Sequence, residues 1–157
     1  MYICYYEGKD ELWGRTLAKR VKELLSAYGL EKTYDADDDV VRDMGDDELR
    51  QILRKQKNVI IIASKKLFGD IVALAELGII GQLWEKKEVN VFVIEDKKQS
   101  IEFPNWAQWM KKTTSFKVCN DTDIVAAITL ILEKYWSDKI VSSMAQLKCT
   151  EIMNGMV

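Results

Sequence analysis

The hydrophobic residues of this chain follow two spacings that alternate from one end to the other. Short apolar runs predict five strands, over residues 2–6, 32–35, 58–63, 89–94 and 116–119. Between these runs, apolar residues recur every three or four positions, which predicts helices over residues 12–28, 67–84 and 121–136 and a shorter helix that begins at Gly45 and Asp46. The alternation predicts an α/β fold, in which a doubly wound five-stranded parallel sheet is flanked by helices.

The same pattern divides the chain into two parts. Residues 1–136 form one predicted domain, with no repeat and no linker inside it. Residues 137–157 follow it and carry spaced apolar side chains such as Ile140, Val141 and Met144. We interpret this last segment as a C-terminal helical appendage or tail.

Composition narrows the chemistry that this domain can perform. The chain has 157 residues, of which 48% are hydrophobic and 31% charged, and its formal net charge is −2. There is thus no basic excess of the kind that nucleic-acid binding needs. Histidine is absent, which excludes the Ser-His-Asp triad, the histidine general base and histidine metal ligands. Catalysis would have to use carboxylates, hydroxyls, amines, thiols or the backbone.

Cysteine usage and hydropathy predict the cellular compartment of the protein. The three cysteines are widely spaced and form no C-x-x-C pair: Cys4, Cys119 and Cys149. This usage is typical of a reducing compartment. The first predicted strand begins at once, which leaves no room for a signal peptide, and the apolar run over residues 71–84 is too short to span a membrane. We expect a cytoplasmic protein that has no membrane partner.

One carboxylate stands out within that apolar run. Glu76 is the only charged residue between Asp70 and Glu85. At about 100° per residue, Val72, Ile79, Ile80 and Leu83 lie on the same side of the predicted helix as Glu76. The helix is therefore expected to bury Glu76, which is costly unless the carboxylate is paired or used. The alternative is a structural glutamate that reaches solvent at the edge of the helix.

Further candidate ligand-binding residues lie directly after the first predicted strand. Their position is relevant because ligands of doubly wound sheets bind at the carboxyl ends of the strands. Tyr5 and Tyr6 come there, followed by Glu7, Gly8 and Lys9. A tyrosine ring at this edge can stack on a flat ligand, or it can belong to the core. Gly8 is a lone glycine, so the chain has no dinucleotide-binding G-x-G-x-x-G motif at this turn.

The loop over residues 35–47 is strongly acidic. Its first aspartates match the opening of a calcium-binding loop, but Val40 replaces the glycine at the turn and Asp46 replaces the final glutamate. We therefore predict no metal site. Instead, we expect a mobile element for assembly or gating, which a basic partner surface such as Lys65 and Lys66 or Lys111 and Lys112 would neutralise.

Together, these segments resemble a Toll/interleukin-receptor (TIR) domain, and the resemblance covers residues 1–136. Residues 2–6 followed by Lys9, Asp10 and Glu11 are similar to the first conserved box of the family, with Cys4 in place of its serine. Tyr34 with Asp35, and then Gly45 with Asp46, resemble the second box. Glu76 comes twelve residues after Ser64 and is followed by Leu77, as in the Glu-Leu pair of the family. The resemblance implies a flavodoxin-like sheet.

The resemblance also implies an activity and a site. Enzymatic TIR domains cleave the nicotinamide–ribose bond of NAD with a glutamate at the position of Glu76, and the substrate-binding residues expected with it are Tyr6, Lys9, Asp35 and Phe68. NAD is then the substrate, with no cofactor and no metal. The product is ADP-ribose or a cyclic ADP-ribose-type signal. The implied setting is prokaryotic anti-phage signalling, with TIR–TIR self-association and a separate effector protein that senses the product.

Two alternatives remain at this stage. The first is a non-catalytic TIR adaptor that acts through TIR–TIR assembly, in which Glu76 would be structural. The second alternative is a nucleoside deoxyribosyltransferase-like enzyme. The chain is similar to that family where Glu76 lies between Ala75 and Leu77 on a predicted helix of the α/β fold. The opening segments of the chain fit that family poorly. Release of nicotinamide from NAD distinguishes the TIR enzyme from the adaptor.

Overall fold

A computed structural model describes residues 1–30, 33–35 and 44–153 of the protein, with side chains as far as residue 138. The described residues contain one parallel sheet of five strands: β1 (Tyr2–Cys4), β2 (Tyr34–Asp35), β3 (Asn58–Ala63), β4 (Asn90–Asp96) and β5 (Thr114–Val118). The strand order is β2-β1-β3-β4-β5. This order is the doubly wound, flavodoxin-like arrangement, which confirms the predicted fold class.

Among the described residues, three helices and two 3₁₀ segments lie between the strands, and a fourth helix follows β5. The helices are α1 (Leu12–Ala27), α2 (Asp46–Gln56), α3 (Ile71–Glu85) and α4 (Asp121–Met153), and the 3₁₀ segments are Leu67–Gly69 and Asn105–Lys112. Gly29 has a positive φ of 94°, the left-handed conformation that glycine supplies after the end of a helix. The helix predicted over residues 12–28 ends one residue earlier than expected, at Ala27.

Strand β3 lies in the middle of the sheet, and this position explains why its sequence is continuously apolar. Its six residues are all buried, and it pairs with β1 on one side and with β4 on the other. Helices cover both faces of a parallel sheet, so both sets of alternating side chains must be hydrophobic. The sequence run over residues 58–63 predicts this strand with its observed bounds.

The core consists of two hydrophobic layers, one on each face of the sheet. Alternate strand residues such as Ile3, Ile60 and Ile62 pack against α1 and α4. Their neighbours, including Tyr2, Cys4 and Ile61, face the opposite layer with α2, α3 and the second 3₁₀ segment. Successive side chains of a strand point to opposite faces, so Tyr2 and Cys4 lie on the side of the sheet that α3 covers.

Several element boundaries differ from the sequence prediction, among them the start of β5, which lies two residues earlier, at Thr114. Strand β1 ends at Cys4, and Tyr5 and Tyr6 belong to the loop after it. Strand β4 continues to Asp96, because its polar end stays paired with β5, and hydrophobicity does not reveal such pairing. The helix predicted over residues 67–84 is divided, since the backbone of Asp70 is extended (φ −93°, ψ 123°) and separates the first 3₁₀ segment from α3.

The C-terminal segment continues the last helix. Helix α4 runs without a break from Asp121 to Met153, so the predicted boundary at residue 136 lies inside it. No helix among the residues that the structure describes combines the length and apolarity needed to cross a bilayer. Residue 32 of the second predicted strand and residues 36–43 of the acidic loop lie outside the described residues.

Candidate active site

A cavity of about 340 Å³ opens between the loop after β1 and the start of α3. The described residues that line it are Tyr5, Tyr6, Glu7, Gly8, Asp70, Val72, Ala73 and Glu76. It lies where the chain winds in opposite directions, because β1 stands between β2 and β3 in the sheet. Doubly wound folds bind their ligands at this switch point, outside the carboxyl ends of the strands.

Glu76 is the buried carboxylate of this cavity. It lies on α3, and only 7% of its surface is exposed. Its Oε1 atom is buried and has no hydrogen-bond partner among the described residues. The prediction that the helix buries Glu76 is confirmed. Ile79, Ile80 and Leu83 are buried as expected.

Val72 does not follow that expectation, because its exposed fraction is 68%. The reason is its place in the first turn of α3, where Ile71 and Leu74 are exposed as well. This turn lies at the mouth of the cavity, and Val72 contributes to the lining. The helical period places Val72 and Glu76 on one side of the helix. It does not show at which residue the rest of the protein stops covering that side.

Burial raises the pKa of Glu76 to about 7. The low-polarity surroundings disfavour the charged form, and the negative charges of Glu7 and Asp70 add to this effect. The Cys4 thiol and the Tyr2 hydroxyl act in the opposite direction, because each can donate a proton towards the carboxylate. At neutral pH, Glu76 is therefore present in both its charged and its neutral form, which is a feature common in active sites.

Tyr2 and Cys4 form the floor beneath Glu76. Both side chains are fully buried on β1. Burial, followed by the charge of Glu76, raises the pKa of the Tyr2 hydroxyl and of the Cys4 thiol well above their usual values. Both groups therefore stay neutral, and Glu76 is the group of the three that ionises near neutral pH. The sequence signal for this contact is the two-residue spacing of Tyr2 and Cys4, which places both on one face of the strand.

Tyr6 lies at the mouth of the cavity and is held by a hydrogen-bonded network. Its hydroxyl donates to Oδ1 of Asp10 at 2.6 Å, and Asp10 forms an ion pair with Lys66 from the segment after β3. The backbone N–H of Lys66 also donates to Oε2 of Glu11 at 3.2 Å. We call Tyr6, Asp10 and Lys66 the mouth network, because they join the two loops on either side of the switch point.

The electrostatics of the mouth network keep its charges fixed. Hydrogen bonding to Lys66 and then to Tyr6 lowers the pKa of Asp10 to about 2. The bond to Asp10 raises the pKa of Tyr6 to about 12. Asp10 is therefore ionised and the Tyr6 hydroxyl protonated throughout the physiological range. The network positions the Tyr6 ring and does not transfer protons.

Gly8 makes room for the Tyr6 side chain. A Cβ atom at residue 8 would lie 2.2 Å from the Tyr6 hydroxyl oxygen and 2.3 Å from Cζ of its ring. Such distances are far inside van der Waals contact, so any side chain at residue 8 must displace the ring. Packing against Tyr6 therefore explains the glycine at residue 8, without any role in phosphate binding.

The predicted site residues fall into two groups. Glu76 and Tyr6 line the same cavity, whereas Lys9, Asp35 and Phe68 are not among its described lining residues. Lys9 is exposed on the loop after β1. Asp35 is buried at the end of β2 and forms an ion pair with Lys22 of α1. Phe68 packs edge-on against Phe103 and Trp106, with ring centroids 5.2 Å and 6.0 Å away.

Two other carboxylates of the cavity, Glu7 and Asp70, were not predicted as site residues. Glu7 lies three residues after the end of β1, and Asp70 lies in the connection after β3, directly before α3. In a parallel sheet these strand ends meet at one edge. That topology is the signal that identifies them. Within the described part of the chain, no group of three or more histidine, cysteine, aspartate or glutamate side chains is placed to hold a metal ion.

A larger cavity of about 500 Å³ lies between the end of α1 and α4. Its lining includes Tyr28, Leu132, Glu133 and Trp136, and its one described carboxylate, Glu133, is exposed. A solvated carboxylate has little electrostatic influence on a bound ligand. The smaller cavity is the stronger candidate, because it contains the buried Glu76.

No protein-family model matches this chain, and a search of curated proteins finds no match. The chemistry of the cavity therefore has to follow from its own residues. These supply a desolvated carboxylate, the Tyr6 ring and further negative charge, without histidine. This combination can stabilise positive charge that develops on a bound ligand.

Proposed function

We propose that the protein is a TIR-type enzyme that cleaves the nicotinamide–ribose bond of NAD, with Glu76 as its catalytic carboxylate. The observation that carries the proposal is the place of Glu76, a buried carboxylate with an unpartnered oxygen that lines the cavity at the switch point of the sheet. The resemblance of residues 1–136 to TIR domains supports the choice of substrate. The flavodoxin-like strand order fits the same assignment.

The reaction suits a site without histidine. The bond between ribose C1′ and the pyridinium nitrogen breaks, and its electron pair goes to nicotinamide, which leaves as a neutral base and needs no general acid. Positive charge then develops on the ribose, as in glycoside cleavage. The ionised Glu76 stabilises that charge, and the low polarity around it strengthens the effect.

A nucleophile completes the reaction at C1′. If water attacks, its oxygen bonds to C1′, its proton can pass to Glu76, and the product is ADP-ribose. If a nucleophile of the ADP-ribose itself attacks, the product is cyclic. A carboxylate with a pKa of about 7 can accept such a proton at neutral pH. The cavity residues serve both outcomes.

The proposal assigns substrate contacts to Tyr6 and Glu76. The Tyr6 ring borders the cavity and is the surface against which the nicotinamide ring would pack. Asp35 receives no substrate contact in the proposal, because Lys22 engages its carboxylate. Lys9 and Phe68 lie outside the described lining and receive none either.

We place this activity in the cytoplasm, in prokaryotic anti-phage signalling, where the product acts on a separate effector protein. The cysteine pattern supports a reducing compartment. Self-association is part of the proposal, and the exposed first turn of α3 supports it. Ile71, Val72 and Leu74 form an apolar surface beside the cavity mouth, where a second copy of the chain can complete the site.

The test is nicotinamide release from NAD by the purified protein over a range of protein concentrations. Glu76→Gln keeps the volume of the side chain and removes its charge, so we expect release to fall by a factor of about 10²–10³. Glu102→Gln is the matched control, because Glu102 is exposed and lines a different cavity. Undiminished release by the folded Glu76→Gln protein would contradict the catalytic assignment.

The second candidate function is a non-catalytic TIR adaptor, which the exposed apolar turn at Ile71, Val72 and Leu74 favours. In an adaptor, this surface binds another TIR domain and Glu76 is structural. Ile71→Asp would then weaken self-association, while NAD would stay intact at every protein concentration. The enzyme and the adaptor therefore differ in one measurement, the release of nicotinamide by the assembled protein.

A further inference from the structure

The larger cavity, of about 500 Å³, lies beside α4 where that helix leaves the core of the domain. We call this cavity the α4 groove, and the described residues that line it are Tyr28, Thr129, Leu132, Glu133, Trp136 and Ser137. Tyr28 and Trp136 are large hydrophobic residues whose exposed fractions are 48% and 39%. Exposed aromatic surface that is gathered in one groove is typical of a contact site for another molecule.

The polar groups of the α4 groove restrict what can occupy it. The hydroxyl of Thr129 donates to the backbone carbonyl of Val125 at 2.8 Å, so this hydroxyl is engaged within the helix. Glu133 is the single charged residue among the described lining residues, and it is exposed. A fitting occupant therefore offers apolar side chains together with one positive charge opposite Glu133.

Helix α4 is much longer than the part of it that packs into the core. Its buried residues include Ala127, Ile128 and Leu132, and the helix continues as far as Met153. Its 33 residues span about 50 Å, whereas β4, the longest strand among the described residues, has 7 residues and spans about 23 Å. The distal half of α4, residues 138–153, therefore extends past the edge of the sheet.

The sequence of the distal half continues the side of α4 that borders the groove. At about 100° per residue, Ile140, Met144 and Leu147 lie within about 80° of Trp136 around the helix axis. Such an apolar stripe needs another element to pack against. An unbroken helix cannot fold back on itself, so the distal half cannot fill the α4 groove of its own chain. A second copy of the chain can fill it.

We propose that two copies of the chain pair through α4 in antiparallel orientation, with the distal half of each helix in the α4 groove of the other copy. The overlap covers residues 129–152, which is about 36 Å of helix. With the two-fold axis between residues 140 and 141, Glu133 of one copy lies opposite Lys148 of the other, and symmetry forms this contact twice. The distal half thus offers both the apolar stripe and the positive charge that the groove requires.

Charge selects the antiparallel orientation over the parallel one. A parallel pair would place Glu133 beside Glu133 and Lys148 beside Lys148, and like charges at such positions repel each other. In the antiparallel pair, each glutamate meets a lysine instead. The apolar stripe alone would permit either orientation, so the charges decide between them.

This interface is separate from the self-association that we assign to α3. The α4 groove lies on the face of the sheet that α1 and α4 cover. The exposed residues Ile71, Val72 and Leu74 begin the helix that covers the other face. The inference therefore depends neither on that contact nor on the cleavage of NAD.

The test is the molar mass of the full chain, measured by sedimentation equilibrium over a range of concentrations. Ile71→Asp is present throughout to remove the contact assigned to α3, and a reductant prevents a disulfide at Cys149. We expect a monomer–dimer equilibrium. Leu147→Asp introduces a charge into the apolar stripe and should raise the dimer dissociation constant by about tenfold or more. Ala145→Asp is the matched control and should leave it unchanged, because Ala145 lies about 180° from Trp136 around the helix.

A charge exchange tests the orientation of the two helices. Glu133→Lys and Lys148→Glu should each raise the dissociation constant by about threefold to tenfold, and both changes in one chain should restore the original value. Thermal melting verifies that each variant is folded. If Leu147→Asp does not fold, the charge exchange supplies the comparison.

The outcomes that contradict the inference are distinct from a failure of the proposed function. A monomer at every concentration, or a dimer that Leu147→Asp does not weaken, overturns the inference even if the protein cleaves NAD. Single charge changes that weaken the dimer without rescue by the double change overturn the antiparallel pairing. A dimer that behaves as expected supports the inference even if the protein leaves NAD intact.

Discussion

The hydroxyl of Tyr6 donates a 2.6 Å hydrogen bond to Oδ1 of Asp10, four residues along the same loop. Asp10 in turn forms an ion pair with Lys66, which follows a different strand. The mouth network therefore fixes an aromatic ring at the edge of the cavity through residues that do not line it. Its role is positioning, and it can be tested apart from the carboxylate of Glu76.

Loss of the mouth network should impair substrate binding more than turnover. Lys66→Met removes the ion pair to Asp10, so the Tyr6 ring is held less firmly, and we expect the KM for NAD to rise several-fold with little change in kcat. Lys65→Met is the matched control, because Lys65 is also exposed and lies beside Lys66 but is not part of the mouth network. Steady-state kinetics of both variants provide the measurement. A fall in kcat at constant KM would show that the network acts on the chemical step.

Gly8→Ala should displace Tyr6 at little cost in stability. The new Cβ atom would lie 2.2 Å from the Tyr6 hydroxyl oxygen, and a phenol at the end of a flexible side chain can move away. The hydrogen bond to Asp10 is then lost, and KM rises. A double-mutant cycle with Tyr6→Ala checks the mechanism, because Gly8→Ala should add nothing once the ring is gone. Additive effects of the two changes would show that Gly8 acts in another way.

The rate of NAD cleavage should depend on the ionisation of Glu76. Its pKa of about 7 means that the carboxylate, the form that stabilises positive charge, becomes dominant above neutral pH. We expect kcat/KM to rise with pH and to level off above about pH 8, with the slope of a single proton. Measurement from pH 5.5 to 8.5 reports this ionisation. A flat profile across that range would show that the charge of Glu76 does not limit the reaction.

Glu76 should also make stability depend on pH. Burial raises its pKa from 4.5 to about 7 on folding, so the folded protein binds this proton more tightly than the unfolded chain. The resulting stabilisation is present below about pH 4.5 and is lost as pH rises through 7, a change of ~3 kcal/mol.

Glu76→Gln removes this dependence, since an amide does not titrate. The melting temperature of the variant, relative to the unaltered protein, should therefore increase from pH 5 to pH 8. Calorimetry at several pH values gives the difference directly. Asp10→Asn is a useful comparison, because the pKa of Asp10 is lowered to about 2. The contribution of its ionisation to stability is therefore constant from pH 5 to pH 8. A difference that does not vary with pH would contradict the raised pKa of Glu76.

Local sequence was sufficient for the elements and for the burial of Glu76. Strand β3 has its predicted bounds, because a strand covered on both faces must be apolar at every position. Glu76 is buried as expected, because Ile80 and Leu83 share its side of α3 and both pack into the core. The spacing of hydrophobic residues reports which side of a single helix or strand is buried. These features can therefore be predicted without knowledge of the tertiary fold.

Tertiary structure alone decided which groups surround that carboxylate. Glu7 belongs to the loop after β1, whereas Asp70 and Glu76 belong to the start of α3, and these two segments meet because β1 and β3 end at one edge of the sheet. The engagement of Asp35 by Lys22, and the close approach of Gly8 to Tyr6, likewise depend on how elements and loops are placed. Desolvation and charge act through space, so the pKa of Glu76 and the negative character of its cavity arise from the packing of the chain and not from its local pattern.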